Sequence, residues 1–198
     1  KIFSSAVEVE NAYNVLPAQY SMANSNQPQI VNYFQASLRE SAICTSCAVF
    51  HKSVFEQIGL FDITLKNGED TDLWIRMGLK FEMVFSHQIL ARYVYDPHSL
   101  SKGNKYLDQK LNIDKFREAE KQNLDLKKFL DLNRYALAIK SKMYGQKFKF
   151  DQYASEINLQ NLNFKKRFLL KLPGSVLLFL VKVNVALAAI GWSKSVFK

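Results

Sequence analysis

The chain has 198 residues, 48% of them hydrophobic, and it contains only 7 glycines and 4 prolines. This composition excludes a low-complexity linker, and the length permits a sizeable buried core in one or two domains. The formal net charge of +9 leaves three classes of partner, namely nucleic acid, an anionic membrane surface and polyanionic substrates.

Two short regular elements are predicted in the first third of the chain. Small and β-compatible residues from Ile43 to Phe50 indicate a short buried strand. The stretch His51–Gly59 indicates a helix of one to two turns, which its final glycine ends.

The two cysteines of the chain, Cys44 and Cys47, lie in the predicted strand, and His51 follows four residues later. This spacing admits a zinc or redox half-site. A tetrahedral zinc site needs further ligands, and the sequence has no second cysteine pair. A redox Cys-x-x-Cys pair opens a helix, whereas this pair lies within an apparent strand. We therefore favour packed thiols.

An acidic turn is the most informative local feature. Glu69, Asp70 and Asp72 directly follow Gly68, and apolar residues then recur on one helical face at Leu73, Trp74 and Met77. The acids are thus predicted in a first helical turn, where free N–H groups and the helix dipole favour negative charge. One interpretation is an ordinary helix start in which Asp72 pairs with Arg76. The other is a rigidly held catalytic carboxylate.

A further strand and loop are predicted after this helix. Gln88–Tyr95 alternates enough to indicate a strand. The following Asp96–Ser101 contains the proline and serines of a loop.

The rest of the chain is predicted to be helical. Apolar spacing indicates one helix from about Lys105 to Gln122, a second from Leu126 to Met143, and a third from Phe150 to Leu159. We assign these helices a packing role and no chemistry.

The final segment combines positive charge with an apolar run. Lys165–Arg167 and Lys171 precede Val176–Trp192, a run of about 17 residues that contains Lys182, which is shorter than the roughly 20 needed to span a bilayer. We favour a helix lying in a membrane interface. The alternative is a helix packed on protein. The sequence shows no nucleic-acid motif, so we predict no nucleic-acid partner.

Several of these features occur in a fixed order, namely a small-residue strand, a basic residue with Phe-x-x-x-Gly-x-Phe-Asp, and Glu-Asp-x-Asp-Leu-Trp-x-Arg. The matching residues are Lys52, Phe55, Gly59, Phe61, Asp62, Glu69, Asp70, Asp72, Leu73, Trp74 and Arg76. A looser match follows at Tyr95, His98, Ser99 and Ser101. From Pro28 to Lys102 the chain resembles the acceptor-side half of family-2 glycosyltransferases of the GT-A fold.

The resemblance implies an α/β fold, specifically a partial GT-A fold that lacks its N-terminal nucleotide-binding half. Residues 1–103 would form the acceptor-side part of the catalytic domain, with an irregular segment through Gln27, and residues 104–198 a helical C-terminal extension. The chain would then be the C-terminal part of a longer enzyme. Its implied location is cytoplasmic, peripheral on the inner face of the cell membrane.

The resemblance also implies a reaction. It is inverting transfer of a sugar from a nucleotide-sugar donor to a hydroxyl of a sugar or lipid-linked acceptor, in cell-surface polysaccharide or glycolipid synthesis. Asp70 would be the base and Glu69 would orient it or an acceptor hydroxyl. The implied acceptor or diphosphate contacts are Asp72, Ser99, Ser101 and Lys102. His98 would help to hold a divalent metal, Mn²⁺ or Mg²⁺, bound mostly by residues outside this chain. The alternative is a non-catalytic, glycosyltransferase-like interaction module.

Overall fold

The computed structural model describes residues 1–10, 14–94 and 112–189, with side chains through residue 187. The structure is α/β, with a mixed sheet and helices. It divides into two compact units, Lys1–Leu126 and Lys127–Lys198. The predicted boundary after residue 103 lies outside the described residues and stays a prediction.

Unit 1 is built on a five-stranded mixed sheet. Its strands are β1 (Ile2–Glu10), β2 (Val15–Pro17), β3 (Gln29–Val31), β4 (Ala48–Phe50) and β5 (Met83–Val94). The central strand is β1, with β5 parallel to it on one edge. On its other edge, β4 pairs with its first three residues and β2 with its last three, both antiparallel. The far edge of β5 carries β3, also antiparallel.

The prediction of an irregular segment through Gln27 is wrong, because that segment contains β1 and β2. Residues 4–7 of β1 are consecutively buried, so both faces of the strand are covered there. A strand buried on both faces lacks the apolar–polar alternation that marks a half-exposed one. The two serines of this stretch, Ser4 and Ser5, further interrupt the apolar pattern.

The helices of unit 1 are α1 (Tyr33–Ala36), α2 (Lys52–Ile58), α3 (Glu69–Gly78) and α4 (Arg117–Gln122), with 3₁₀ turns at Thr45–Cys47 and Ile113–Phe116. The prediction of α2, ended by Gly59, is confirmed, and so is that of α3. The buried face of α3 includes Trp74, whose ring stacks on Phe50 of β4 with centroids 5.3 Å apart. This contact fixes α3 against the sheet.

Two predicted strands differ from the observed ones. Of the predicted strand Ile43–Phe50, only the β4 residues form a strand. Val49 is 66% exposed because, in the described part of the chain, β4 pairs with β1 alone and forms an edge. The strand predicted from Gln88 begins five residues earlier, at Met83. Its predicted last residue, Tyr95, lies outside the described residues.

Unit 2 is helical in its described part. After α5 (Leu124–Met143), which begins at the end of unit 1, come α6 (Lys147–Ser155), α7 (Phe164–Lys171) and α8 (Gly174–Ala189). The second predicted helix is confirmed as α5. The third predicted helix differs in its bounds from α6, which begins three residues before Phe150 and ends at Ser155. The first is described only after residue 111, where a 3₁₀ turn leads into α4.

A buried polar centre organises unit 2. The carboxylate of Asp131 is fully buried and accepts hydrogen bonds from Lys127 Nζ at 2.7 Å and from Asn161 Nδ2 at 2.7 Å. Arg134, also buried, pairs with Glu156 at 3.1 Å. These bonds join α5 to the segment that follows α6. None of the helices in the described part of the chain has the length and apolar character needed to cross a membrane.

Candidate functional site

The acidic turn lies at the start of α3. Gly68 is the N-cap residue and has a left-handed backbone, with φ of 86°. It has no side chain that could accept a hydrogen bond from the first N–H groups of the helix. The negative charges of the acids in the first turn can instead stabilise these groups. Glu69 and Asp70 are the first two helical residues, as the sequence predicts.

The carboxylates of Glu69 and Asp70 make few contacts with the described residues. Asp70 is exposed, and its Oδ1 accepts hydrogen bonds from the backbone N–H of Thr71 at 2.6 Å and from its hydroxyl at 3.2 Å. Its Oδ2 has no partner in the described part of the chain. Glu69 is half-buried, and its side chain makes neither a hydrogen bond nor an ion pair with any described residue. Within the described part of the chain, oxygen atoms of both side chains are therefore open to a ligand.

A buried tyrosine lies within electrostatic reach of Asp70. Tyr33 of α1 is 2% exposed, and its hydroxyl lies 3.2 Å from the Ser41 hydroxyl. Burial raises the pKa of Tyr33, and the negative charge of Asp70 raises it further. The phenol is therefore neutral at physiological pH. It is not available as a charged group to the acidic turn.

Asp72 is engaged inside the protein. Its side chain is 1% exposed, with Oδ2 at 2.8 Å from Arg76 Nε and Oδ1 at 2.6 Å from Lys115 Nζ. The predicted pairing with Arg76 is confirmed. Because both oxygens are occupied and shielded, the geometry gives Asp72 an internal role in place of the acceptor or diphosphate contact that the resemblance implies.

Arg76 extends this ion pair to the loop before α3. Its guanidinium donates hydrogen bonds to the carbonyls of Ile58 and Leu60, the latter at 2.7 Å. Between these carbonyls Gly59 adopts φ of 80°, a conformation open to glycine. Arg76 thereby ties the end of α2 to α3.

The same loop is held at two further points. Asp62 Oδ1 accepts hydrogen bonds from the Thr64 hydroxyl at 2.6 Å and from the Thr64 N–H at 3.0 Å, and these bonds lower the pKa of Asp62. The ring of Phe61 meets Trp74 edge-on, with centroids 6.0 Å apart. Lys115 Nζ lies 3.9 Å from Asp62 as well as beside Asp72.

We call this set of residues the acidic-turn frame: Gly59, Asp62, Asp72, Trp74, Arg76 and Lys115. All but Lys115 belong to the motif that the sequence singles out. Sequence analysis missed Lys115 because it lies 43 residues from Asp72 and no local pattern marks it. The frame fixes the turn on which Glu69 and Asp70 stand.

A second group of polar side chains, which sequence analysis also missed, lies beside a shift of register in the sheet. The pairing of β1 with β5 shifts register around Ala6, opposite the residues between Ser86 and Ile89. Here both ring nitrogens of His87 and the hydroxyl of Ser5 are buried, and they have no hydrogen-bond partner in the described structure. Such groups are usual sites for an ordered water.

The cysteines are packed thiols, in line with the favoured interpretation. Both are free, and the Cys47 thiol donates to the carbonyl of Ser5 at 3.1 Å. Burial raises the pKa of Cys44, which favours the neutral thiol. They lie at a 3₁₀ turn and not in a strand.

No set of three potential metal ligands occurs among the described residues. A Mn²⁺ or Mg²⁺ ion at this site would therefore need ligands besides the described side chains, such as the phosphate oxygens of a substrate. His98, Ser99, Ser101 and Lys102, the predicted metal and diphosphate contacts, all lie outside the described residues.

An open groove of about 430 Å³ lies beside β3 and α1, lined among others by Asn32, Gln35 and Glu82. Neither Glu69 nor Asp70 lines this groove. The comparison of the chain with family models, with curated proteins and with solved structures gave no match in any of the three.

Proposed function

We propose that residues 1–103 are the acceptor-side part of a GT-A fold and that the protein acts in inverting sugar transfer. The donor is a nucleotide sugar and the acceptor is a hydroxyl of a growing cell-surface polysaccharide or glycolipid. The supporting observation is the acidic-turn frame. Most of the motif residues belong to the frame, and Asp62 and Asp72 form hydrogen bonds or ion pairs within it. Glu69 and Asp70 keep oxygens without a partner among the described residues.

In this proposal Asp70 is the general base. Its Oδ2 accepts the proton of the acceptor hydroxyl while the acceptor oxygen forms a bond to the anomeric carbon. The bond from that carbon to the donor diphosphate breaks on the opposite side, so the configuration inverts and the nucleoside diphosphate leaves. Glu69 holds an acceptor hydroxyl in line for attack. Positioning of this kind needs a rigid support, which the frame supplies.

A divalent cation would act as a Lewis acid on the leaving diphosphate. The described residues do not form a site for it, so no step is assigned to them through the metal. His98, Ser99, Ser101 and Lys102 remain proposed contacts of the metal and the diphosphate.

The variant Asp70→Asn tests the proposal. Transfer is measured as release of nucleoside diphosphate from a panel of nucleotide sugars, with the protein expressed together with any coding sequence that precedes Lys1. Loss of the base should lower turnover by about 10²- to 10⁴-fold. Thermal stability should change little, since the side chain is exposed and, among the described residues, bonds only to Thr71.

The matched control is Glu56→Gln, which removes an exposed carboxylate from α2. It should leave turnover at the wild-type value. Unchanged turnover in Asp70→Asn would rule out the base assignment.

The exposure of Asp70, and its absence from the groove beside α1, favour a second candidate, a non-catalytic module that binds a saccharide. The two candidates differ in one measurement. If the wild-type protein releases no nucleoside diphosphate from any donor, and Asp70→Asn weakens binding of an oligosaccharide, the module replaces the enzyme.

A further inference from the structure

Helix α7 turns a stripe of aromatic and basic side chains toward water. Phe164, Arg167, Phe168 and Lys171 follow the spacing i, i+3, i+4, i+7, which places them on one helical face. All four are exposed, Phe164 to 84% and Phe168 to 53%. Most surface helices turn their large apolar side chains to the core, so this stripe is left for a partner to cover.

Helix α8 follows after only Leu172 and Pro173, and it is also exposed along its apolar residues. Leu177 is 3% exposed and packs in unit 2. The large apolar side chains of α8 that remain exposed are Val176, Leu178, Phe179, Leu180, Val181 and Val183. A helix that is apolar on nearly all sides is normally enclosed by protein or by lipid.

All charged side chains that follow Glu156 in the sequence are positive. Glu156 is the last acidic residue in the sequence, and seven lysines or arginines follow it. Two of the lysines, Lys165 and Lys171, are exposed on α7 and form no hydrogen bond or ion pair in the described structure. A partner for this surface must therefore offer negative charge directly beside apolar material.

We propose that α7 and the first half of α8 bind the surface of a lipid bilayer that contains anionic lipid. The exposed Lys165, Arg167 and Lys171 of α7 meet the lipid phosphates, while Phe164 and Phe168 enter the boundary between headgroups and acyl chains. In an anionic bilayer the negative phosphates lie at the surface and the hydrocarbon lies directly below them. The basic side chains can therefore contact the phosphates while the phenylalanines reach the hydrocarbon. The inference does not depend on sugar transfer.

The experiment is co-sedimentation of the 198-residue protein with lipid vesicles. Vesicles of phosphatidylcholine with about 30 mol% phosphatidylglycerol are compared with vesicles of phosphatidylcholine alone. We expect binding to the anionic vesicles, weaker binding to the neutral ones, and a loss of binding as NaCl rises from about 0.15 M to about 1 M.

Two pairs of variants locate the contact. The double variant Phe164→Ser/Phe168→Ser should lower the partition coefficient on anionic vesicles by about tenfold or more. Its control is Phe148→Ser, which removes a phenylalanine of α6 that is 81% exposed, and which should bind as the wild type does. The charge variant Lys165→Gln/Lys171→Gln should weaken binding, and Lys52→Gln/Lys80→Gln, with the same net charge, should weaken it less. Circular dichroism verifies that all variants are folded.

Two results would overturn the proposal. One is the absence of wild-type binding to anionic vesicles. The other is an equal effect of the Phe148 control and the Phe164/Phe168 variant. If vesicle binding is absent while light scattering shows a dimer that Phe164→Ser/Phe168→Ser dissociates, the stripe instead binds a second copy of the chain.

Discussion

The carboxylate of Asp72 stands two residues from that of Asp70, yet their surroundings differ completely. Asp72 faces inward, is shielded from water and receives a bond from each of two cations. Asp70 faces outward and, among the described residues, receives bonds only from Thr71. A helix turns about 100° per residue, so carboxylates two positions apart lie on opposite faces. One acid can therefore hold the turn while its neighbour meets a ligand.

Removal of Arg76 should destabilise unit 1. In Arg76→Ala the buried carboxylate of Asp72 keeps only the partly exposed Lys115, and the loop carbonyls of Ile58 and Leu60 lose their donor. We expect a loss of about 3 kcal/mol in the free energy of unfolding, measured by urea titration. Arg76→Lys should recover part of it, because an ammonium group restores the charge but not the branched set of donors.

The control is Arg39→Ala, an exposed arginine bonded to Gln19 at 3.3 Å. It should change stability by no more than about 0.5 kcal/mol. Equal effects of the two alanine variants would contradict the role given to Arg76.

The half-buried Tyr20 and the buried Tyr33 should make the protein sensitive to alkali. Burial raises the pKa of Tyr20 to about 12, and it raises the pKa of Tyr33 as well. Above pH of about 10 the unfolded chain loses these phenolic protons before the folded chain does, so the free energy of unfolding falls as pH rises. Their contribution is fully present below that pH.

The measurement is the urea midpoint between about pH 9 and pH 11.5, with tyrosine ionisation followed by ultraviolet absorbance. Tyr33→Phe should reduce the alkaline loss, whereas Tyr93→Phe, a change at an exposed tyrosine, should not. The same slope in both variants would contradict the assignment.

At the scale of elements, the start of α3 depends on the conformation of its N-cap glycine. Gly68 has φ of 86° and ψ of 14°, in the left-handed region. Gly68→Ala should cost about 1–2 kcal/mol, because a Cβ disfavours this region. Gly68→Asn should cost less, since asparagine tolerates the left-handed region and is a good N-cap.

The comparison uses thermal unfolding of both variants against the wild type. An alanine variant as stable as the asparagine variant would mean that the backbone at Gly68 is not under this constraint. If the proposed function holds, turnover should follow the same order, because the turn carries Asp70.

An element is predicted correctly from the sequence when its pattern of buried and exposed residues has a clear period or a clear end. Helices α3 and α5 are long enough for their 3.6-residue period to show, and α2 ends at a glycine. Strand β1 is the centre of the sheet, but its burial on both faces removes the alternation that would have marked it. Strand β4 is only three residues long and lies at an edge, so its exposed face contradicts the buried strand that its small residues suggested.

At the scale of the whole molecule, the positive charge is unevenly placed. Seven of the 27 basic residues follow Glu156 and none of the 18 acidic ones does, so the rest of the chain is nearly balanced. The net charge of +9 is therefore mainly a property of the C-terminal part of unit 2, where the apolar side chains are exposed. This distribution favours a membrane surface over a general attraction to nucleic acid.

The 198-residue chain alone should show no measurable affinity for nucleotide sugars. In the proposed function the donor contacts lie mostly outside this chain, and the described residues contain no cluster of metal ligands to hold a diphosphate. Isothermal calorimetry with uridine and guanosine diphosphate sugars, with Mn²⁺ present, should give only heats of dilution up to about 1 mM ligand. Tight binding would place the donor site within the chain.

The sequence by itself determined the acidic turn, the glycines before it, the pair of Asp72 with Arg76, and the basic apolar tail, because each depends on residues a few positions apart. Only the tertiary structure decided that β1 is the central strand, that Lys115 reaches Asp72, and that α7 turns its phenylalanines outward. These features depend on contacts between distant segments and on which face each element finds covered. The spacing of residues within a short stretch of sequence indicates neither the long-range contacts nor the covered faces.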